Sequence, residues 1–424
     1  MASGLDAEVL VVGAGLVGAA CALRLAAAGR EVLLLDAQPP GQGASFGNAG
    51  HIATEQLFPL ASAEVIRASW RYLFDAESPL RLRVPYLLPI LPWLARFVWA
   101  ARPSSFARGV AALLGLQKTA RADLVELLQL AEIRPMLHLD GYLRVWETTA
   151  GARKAEAQAL ALARYGVPTE RVSAAAVLAA SPALSPAIQG AIAYPDTGHV
   201  DDPHAVCQGL VDALLRLGGQ FRQERALRLA QDRDGPVTLS LEQGRALRCR
   251  QLVLCAGAWS RPLAASLGYA VPLDTERGYH ITLDWARFER GGSRPRLAIP
   301  VASTERNVIM TPMAMGLRMT GTVEFGGLHL PPDPRRYALL RRQMETLVPG
   351  LRADDASSWM GFRPSLPDHL PVISAAPRHR GLFFAFGHQH LGLTLCGVTA
   401  RLVEDMLLGR APSVDLAPYR ITRF

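Results

Sequence analysis

Two short, wholly aliphatic runs open this chain, separated by a longer apolar stretch that glycines punctuate. Val9 to Val12 and Val32 to Leu35 carry no polar residue, the pattern of strands covered on both faces. Leu16 to Ala28 has the length of a helix, and Gly29 closes it at its C-terminal end. Downstream, the apolar spacing predicts an amphipathic helix over Leu116 to Glu132 and an alternating strand over Gly141 to Trp146. Helices follow at Ala150 to Tyr165 and Ser173 to Ser181, then a strand at Ala191 to Tyr194. Another helix runs from His204 to Leu217 and stops at Gly218-Gly219. Gln251 to Ser260 reads as a buried strand running into Gly257. Val271 to Thr322 reads as antiparallel strands, with segments at Tyr279 to Leu283, Val308 to Pro312 and Leu317 to Thr320. A helix at Arg335 to Val348, a buried strand at Gly381 to Phe386 and a helix from Gly392 to Leu408 complete the chain.

Three glycines give the first strand–helix–strand unit a chemical meaning. Gly13, Gly15 and Gly18 occupy the first turn, and Asp36 ends the second strand. The first glycine permits the tight turn and the second lets a pyrophosphate approach the backbone. The third lets helix and strand pack closely. The helix then presents free N–H groups and its positive dipole end to the phosphates. Asp36 stands where a ribose hydroxyl pair is held, and its charge disfavours a 2′-phosphate. The dinucleotide is therefore FAD or NAD.

Composition narrows the class further. The chain has 424 residues, half of them hydrophobic, enough for a large core. The net charge of +8 and pI of about 9.6 permit contact with anions. Lysine occurs only at Lys118 and Lys154, and the arginines are spread without a basic run, which argues against nucleic acid. Five scattered cysteines form no metal-binding pattern, so no metal is expected and a reducing, cytoplasmic compartment fits. Asp6 and Glu8 precede the first apolar stretch, which reads as the strand–helix unit rather than a targeting segment. Residues 80–116 stand apart: they hold Pro85, Pro89, Pro92, two tryptophans and only arginine charges. The prolines predict short turns before a helix from about Trp93. The stretch suits either a surface dipping into an anionic bilayer or a helical subdomain packed on its own protein.

Five motifs occur in a fixed order: the Gly13–Asp36 unit, Ser45-Phe-Gly-Asn-Ala-Gly-His-Ile52, Leu254-Cys-Ala-Gly-Ala-Trp-Ser260, Gly361-Phe-Arg-Pro-Ser-Leu-Pro-Asp368 and Gly387-His-Gln-His-Leu-Gly-Leu-Thr394. In that order the chain resembles the FAD-dependent D-amino-acid oxidase superfamily, and within it the D-amino-acid dehydrogenases. The resemblance implies an α/β fold: a Rossmann-like FAD-binding domain with an interleaved α+β substrate domain built on an antiparallel sheet. The FAD-binding domain is expected at 1–75, 148–187, 198–270 and 358–424. The substrate domain is expected at 76–147, 188–197 and 271–357.

The resemblance also implies residue roles. Ser45, Asn48, Ala49, Gly50, His51 and Ile52 match the loop lining the flavin ring. Ala226 matches the backbone contact to adenine, and Gly257 a second cofactor contact. Gly387, Gly392, Leu393 and Thr394 match the turn at the flavin's pyrimidine end. Arg363 matches the arginine that pairs with the substrate carboxylate, and Tyr279 and His51 are catalytic candidates. His388 and His390 lie in the same flavin-side loops as potential donors or relays. No cysteine stands in Trp359–Arg363, so FAD is expected to be non-covalent. Sarcosine-oxidase-like relatives use a lysine near flavin N5 to activate oxygen, and neither lysine here falls in a flavin motif, so the resemblance favours a dehydrogenase passing electrons to a quinone or other carrier. The implied reaction is oxidative deamination of D-amino acids. Alternatives are a dehydrogenase for a cyclic imino acid such as D-proline or hydroxy-D-proline, an oxygen-using oxidase, and last an RNA-binding or tRNA-modifying relative. The expected location is cytoplasmic, with peripheral contact on the inner membrane face as the alternative that residues 80–116 leave open.

Overall fold

A computed structural model of the protein describes residues 5–72, 78–233, 235–289 and 297–424. The expected domain boundary at 75–76, and residues 290–296 of the strand-rich stretch, lie outside these. The aliphatic runs read from the sequence form the centre of an eight-stranded sheet. Ala7–Val12 pairs in parallel with Val32–Asp36 on one side and Ala246–Leu254 on the other. Gln220–Gln223 extends the first edge, and Leu382–Phe386 joins the carboxyl half of Ala246–Leu254. The helices Leu16–Ala27, Pro203–Arg216 and Gly392–Leu407 cover one face, with Ala19, Leu23, Leu210, Leu214, Cys396 and Ala400 in one buried cluster. Strands covered this way need no polar face, which is why their sequences read as unbroken aliphatic runs.

A nine-stranded, mostly antiparallel sheet forms the second layer. At one end Ser357–Ser365 forms the edge and pairs with Asp274–Leu283, which pairs in turn with Gly316–Phe325. Tyr142–Trp146 and Gly190–Tyr194 extend it. A small three-stranded sheet of His51–Ile52, Gly198–Val200 and Leu137–His138 bridges the two layers.

Several expected boundaries move. Residues 148–187, expected with the first sheet, belong to the second: Glu170–Ser173 pairs with Gly190–Tyr194. The small apolar residues Ala155 and Ala159 let the Thr149–Ala163 helix pack on Tyr142, Trp146 and Tyr194 of that sheet. Ser357–Ser365 also belongs there, so the last return to the first sheet begins after residue 365 and not at 358. Conversely, the expected helix at 116–132 starts earlier, as Pro103–Leu130, and packs on the first layer. Its Leu113, Leu116 and Ala120 meet Leu395, Val398 and Leu402, and its Leu124 and Leu127 enter the first sheet's core. The prolines of 85–92 do not confine that segment to turns. Pro89 sits in the first turn of the Leu87–Ala100 helix, where no intrahelical N–H is needed, and only Pro92 forfeits a helical bond.

Candidate active site

A cleft of about 480 Å³ runs across the carboxyl ends of the first sheet's strands. This is where a doubly wound sheet takes its ligand. One end is made almost wholly of backbone. Gly13 has φ 109°, and a Cβ there would collide with the Cys255 carbonyl. A Cβ on Gly18 would collide with Gly13 O, so this glycine serves helix–strand contact and does not line the cleft. Gly15 borders the cleft with Ser45 Oγ beside it, and that hydroxyl accepts the Leu16 N–H at 3.0 Å.

Asp36 stands at the same end. Its carboxylate accepts N–H bonds from Ala14 (2.7 Å) and Gln38 (2.9 Å), leaving lone pairs for a hydroxyl pair. Burial raises its pKa, against the pull of those N–H groups. Ala226 lines the wall beside it, at a bulge in its strand, and Gly257 (φ 52°) faces open space on the next turn. Glycine turns, a helix N-terminus and a ribose-side carboxylate on one elongated cleft fit a dinucleotide.

The other end approaches the second sheet. Asn48, Gly387, Gly392 and Leu393 line it. The Gly392–Leu407 helix begins there without a side-chain cap, so its positive end faces the cleft. Thr394 Oγ1 accepts the Ala53 N–H at 3.0 Å, tying the loop after His51–Ile52 to that helix. The loop itself is clamped from the second sheet. Buried Arg318 donates to Phe46 O (3.2 Å) and Asn48 O (2.9 Å), and His280 Nδ1 lies 3.2 Å from Gly47 O. Gly50 (φ 70°) donates to Asn48 Oδ1 at 2.8 Å, and Ala49 lies between them. Ala49, Gly50, His51, Ile52 and Thr394 support the cleft from behind rather than lining it.

Arg363 sits just beyond, between the cleft-lining Phe362 and Pro364. Among the described residues its guanidinium donates only to Thr322 O, at 3.4 Å, and no carboxylate lies within ion-pair distance. Burial lowers its pKa, partly offset by Glu276. The guanidinium lies against Gly278, where any Cβ would collide with it. Three non-glycine residues around it hold left-handed backbone: Thr322 (φ 64°), His369 (φ 60°) and Gln389 (φ 53°). Such residues cost about 1–3 kcal/mol each and gather at functional sites. Thr322 Oγ1 and Gln389 Nε2 are buried without a hydrogen-bond partner, and His369 Nε2 lies 3.8 Å from Glu276 Oε1. Thr322 is the extra residue of a bulge opposite Gly278–Tyr279, and Gln389 N–H donates to Pro364 O at 3.1 Å.

His390 joins this group to a second one. Burial holds its pKa down at about 3, with Arg363 and His369 adding to the effect and Glu55 opposing it. His388 is likewise pushed to about 3 by burial, and its Nε2 meets Thr399 Oγ1 at 2.9 Å. His51 donates from Nδ1 to Gly198 O (3.1 Å), and its Nε2 lies 3.2 Å from Glu55 Oε1. With Nδ1–H committed to a carbonyl, the Nε2–Oε1 contact requires one proton held between the two groups. Burial raises the Glu55 pKa, but His51 and then Arg144 outweigh it and leave the carboxyl below its usual range.

Tyr279 is not brought to Arg363. Strand alternation turns it away from the Gly278 face, and it packs in the second sheet's core against Tyr337. Its hydroxyl donates to Glu324 Oε1 (3.0 Å) and accepts the Asp333 N–H (3.0 Å). Conversely, the sequence reading passed over Gly278, Thr322, Glu55 and Arg144. Gly278 carried a usable signal, since a glycine inside a strand pattern marks a close approach. Glu55 carried none, being one acid in an irregular loop.

Comparison with known proteins gives this geometry its family. The chain is 32% identical to a D-amino-acid oxidase of Bradyrhizobium diazoefficiens, over 98% of this chain and 99% of that one. It is also 32% identical to D-amino acid dehydrogenase 2 of Ralstonia nicotianae, over 98% and 100%. Among solved structures, glycine oxidase from Geobacillus kaustophilus superposes with a TM-score of 0.75 at 23% identity, covering 99% of both chains. L-proline dehydrogenase from P. horikoshii gives 0.72 at 16% identity, covering 99% and 98%. These two share the fold. A family model described as FAD dependent oxidoreductase matches residues 8–406, and the chain belongs to this DAO family of FAD-dependent oxidoreductases.

Proposed function

We propose that the protein oxidises D-amino acids to 2-oxo acids and ammonia, with electrons passing from FAD to a quinone or similar carrier. The observation that carries this reading is Arg363, a half-buried guanidinium that makes a single hydrogen bond among the described residues, beside the cleft-lining Phe362 and Pro364. It suits a carboxylate bound through two parallel N–H···O bonds. The D-configuration is supported by the names of the two 32%-identical relatives. FAD, when bound, would supply a two-electron acceptor for the α-hydrogen of a neutral amine, and water would hydrolyse the imine so formed to 2-oxo acid and ammonia.

The chain's own residues do the rest. Arg363 fixes the carboxylate, Gly278 leaves room for the guanidinium, and the left-handed Thr322 and Gln389 hold polar atoms without hydrogen-bond partners beside it. The start of the Gly392–Leu407 helix favours negative charge at its end of the cleft. The His51–Glu55 pair keeps a proton close to His390. Support for a carrier over oxygen comes from Lys118 and Lys154, which are both exposed on helices outside the cleft. Five buried free thiols suit a cytoplasmic setting.

The test is anaerobic addition of a D-amino-acid panel, D-proline and hydroxy-D-proline included, to FAD-loaded protein. Flavin bleaching with D- and not L-isomers is expected, and full FAD loading without bleaching by any of them would refute the reading. A second reading, an oxygen-using enzyme, has the oxidase relative in its favour. Peroxide release matching the rate of dye reduction would select it.

A further inference from the structure

The Leu87–Ala100 helix is apolar on two sides. One side is used internally. Ile90 and Trp93 pack with Phe325, Trp93 Nε1 donates to Ser365 O (3.3 Å), and the Phe97 ring meets His369 at 5.6 Å. The other side faces solvent. Leu88 is 80% exposed, Trp99 61%, Val98 54% and Leu91 52%, with Leu87 at 40% and Val84, just before the helix, at 75%. At 3.6 residues per turn, Leu87, Leu88, Leu91, Val98 and Trp99 share an arc of about 120°, away from Ile90, Trp93 and Phe97. Six of the fifteen large hydrophobic residues exposed among the described residues fall within Val84–Trp99, so this is a patch and not scatter.

Its rim is cationic. Arg96, Arg102 and Arg108 are exposed, Arg102 lies over the Trp99 ring at 3.2 Å, and the sequence holds no acidic residue from 78 to 122. We propose that this face docks on the headgroup region of an anionic bilayer, sinking Leu88, Leu91 and Trp99 to the acyl boundary while the arginines meet lipid phosphates. It docks without crossing. The following Pro103–Leu130 helix turns away by 87° and buries Leu113, Leu116, Leu124 and Leu127 in the protein. A second copy of the chain is a poorer occupant, because pairing two such faces would oppose two sets of arginines, and residues 78–122 supply no acid to meet them. Since the helix's inner side touches Ser365 and His369, the docked bilayer would lie about one helix diameter, roughly 10 Å, from the strand that carries Arg363. Docking does not depend on which substrate or acceptor the enzyme uses.

The experiment sediments FAD-loaded protein with phosphatidylcholine vesicles, with and without phosphatidylglycerol. The expected result is binding about tenfold stronger to the anionic vesicles, weakening as salt is raised. Leu88→Asp/Leu91→Asp and Arg96→Glu/Arg102→Glu should each lose at least about tenfold in binding while keeping bound FAD and turnover with a soluble dye. The proposal is overturned if wild-type protein stays in the supernatant at low salt. Equal binding to both lipids, or wild-type binding by the leucine variant, overturns it too. So does light scattering that shows a wild-type dimer which the leucine variant splits, with no vesicle binding, since the face is then a subunit interface.

Discussion

The two ends of the cleft are built by opposite means. The end shaped for a dinucleotide works by leaving side chains out: Gly13, Gly15 and Gly257 line it with backbone, and Asp36 is the one carboxylate lining the cleft among the described residues. The Arg363 end gathers what is costly: a half-buried guanidinium short of partners, three left-handed non-glycine residues and histidines held neutral. The first arrangement binds whatever carries the right phosphates and ribose. The second presents a charge and polar groups that gain partners when a ligand of matching chemistry enters, which suits a site shaped for one class of ligand. Substitutions should therefore separate cofactor retention from turnover.

Gly13→Ala should have the largest effect. The added Cβ meets the Cys255 backbone, which cannot swing aside, and φ 109° is itself unfavourable for alanine. Loss of visible flavin absorbance and of all turnover is expected, with a clear fall in Tm. Normal FAD content would break the comparison at its first term. Arg363→Ala should do the reverse and keep FAD. Losing a charged hydrogen-bond partner in the reacting complex removes roughly 2–4 kcal/mol, so kcat/KM should fall about 30- to 1,000-fold in steady-state assays. Arg363→Lys should recover little, because an ammonium cannot reproduce the bidentate fork.

Gly278→Ala sharpens the contrast between backbone and side-chain sites. Here the added Cβ meets the end of the flexible Arg363 side chain and not a backbone. The guanidinium can shift at moderate cost, so a loss of about tenfold in kcat/KM is expected, carried mainly by KM, with FAD unaffected. In an Arg363→Ala background the same substitution should cost almost nothing. Equal effects in both backgrounds would mean that Gly278 acts elsewhere.

Acid should find the same end of the molecule. His280, His388 and His390 are each pushed to about 3 by burial, with Arg318 adding to the effect at His280. Their unfolded value is near 6.5, so between about pH 6.5 and 3 the unfolded chain binds more protons. Stability is thus complete above 6.5 and falls as pH drops toward 3, by up to about 1.4 kcal/mol per pH unit for each histidine. Asp36 has the opposite sign: its raised pKa makes the folded state bind the extra proton over its own range. Urea midpoints measured from pH 7 to 4 should show the fall, and His390→Gln should flatten it. An unchanged slope would show that His390 is not held neutral.

The same contrast explains what could be read from the sequence. Gly13 to Asp36 lies within one strand–helix–strand unit, so the whole motif appears in one window. The Arg363 end draws on Glu55, Arg144, Gly278, Thr322, His369 and Gln389, which come from separate strands and loops. Arg363 itself could be named because its Gly-Phe-Arg-Pro setting resembles a family motif, but its neighbours carry no pattern of their own. The misplaced boundaries have a related cause. Residues 148–187 are helical and Ala-rich, as helices on either sheet would be, and only the pairing of Glu170–Ser173 with Gly190–Tyr194 decides which sheet they cover.

Tyr279 is the smallest expected effect and the sharpest check on that lesson. A tyrosine two residues after a strand arginine, in a motif beside the substrate strand, invites a catalytic role. Its neighbour Gly278 takes the Arg363 face, and alternation sends Tyr279 the other way, to Glu324 and Asp333. Buried Arg277 holds the same Glu324 at 3.0 Å and donates to the carbonyls of Gly327, Leu330 and Pro331. The tyrosine is therefore one tie of a latch that fixes the loop between Phe325 and the Pro334–Leu347 helix. Tyr279→Phe keeps the ring in the core and removes two hydrogen bonds, one of which Arg277 leaves partly covered at Glu324. A loss of about 1 kcal/mol or slightly more in stability is expected, read as a lower urea midpoint. Turnover and its pH profile should stay as in the wild type. A drop in kcat beyond about threefold, with the fold intact, would move Tyr279 from the latch to the chemistry.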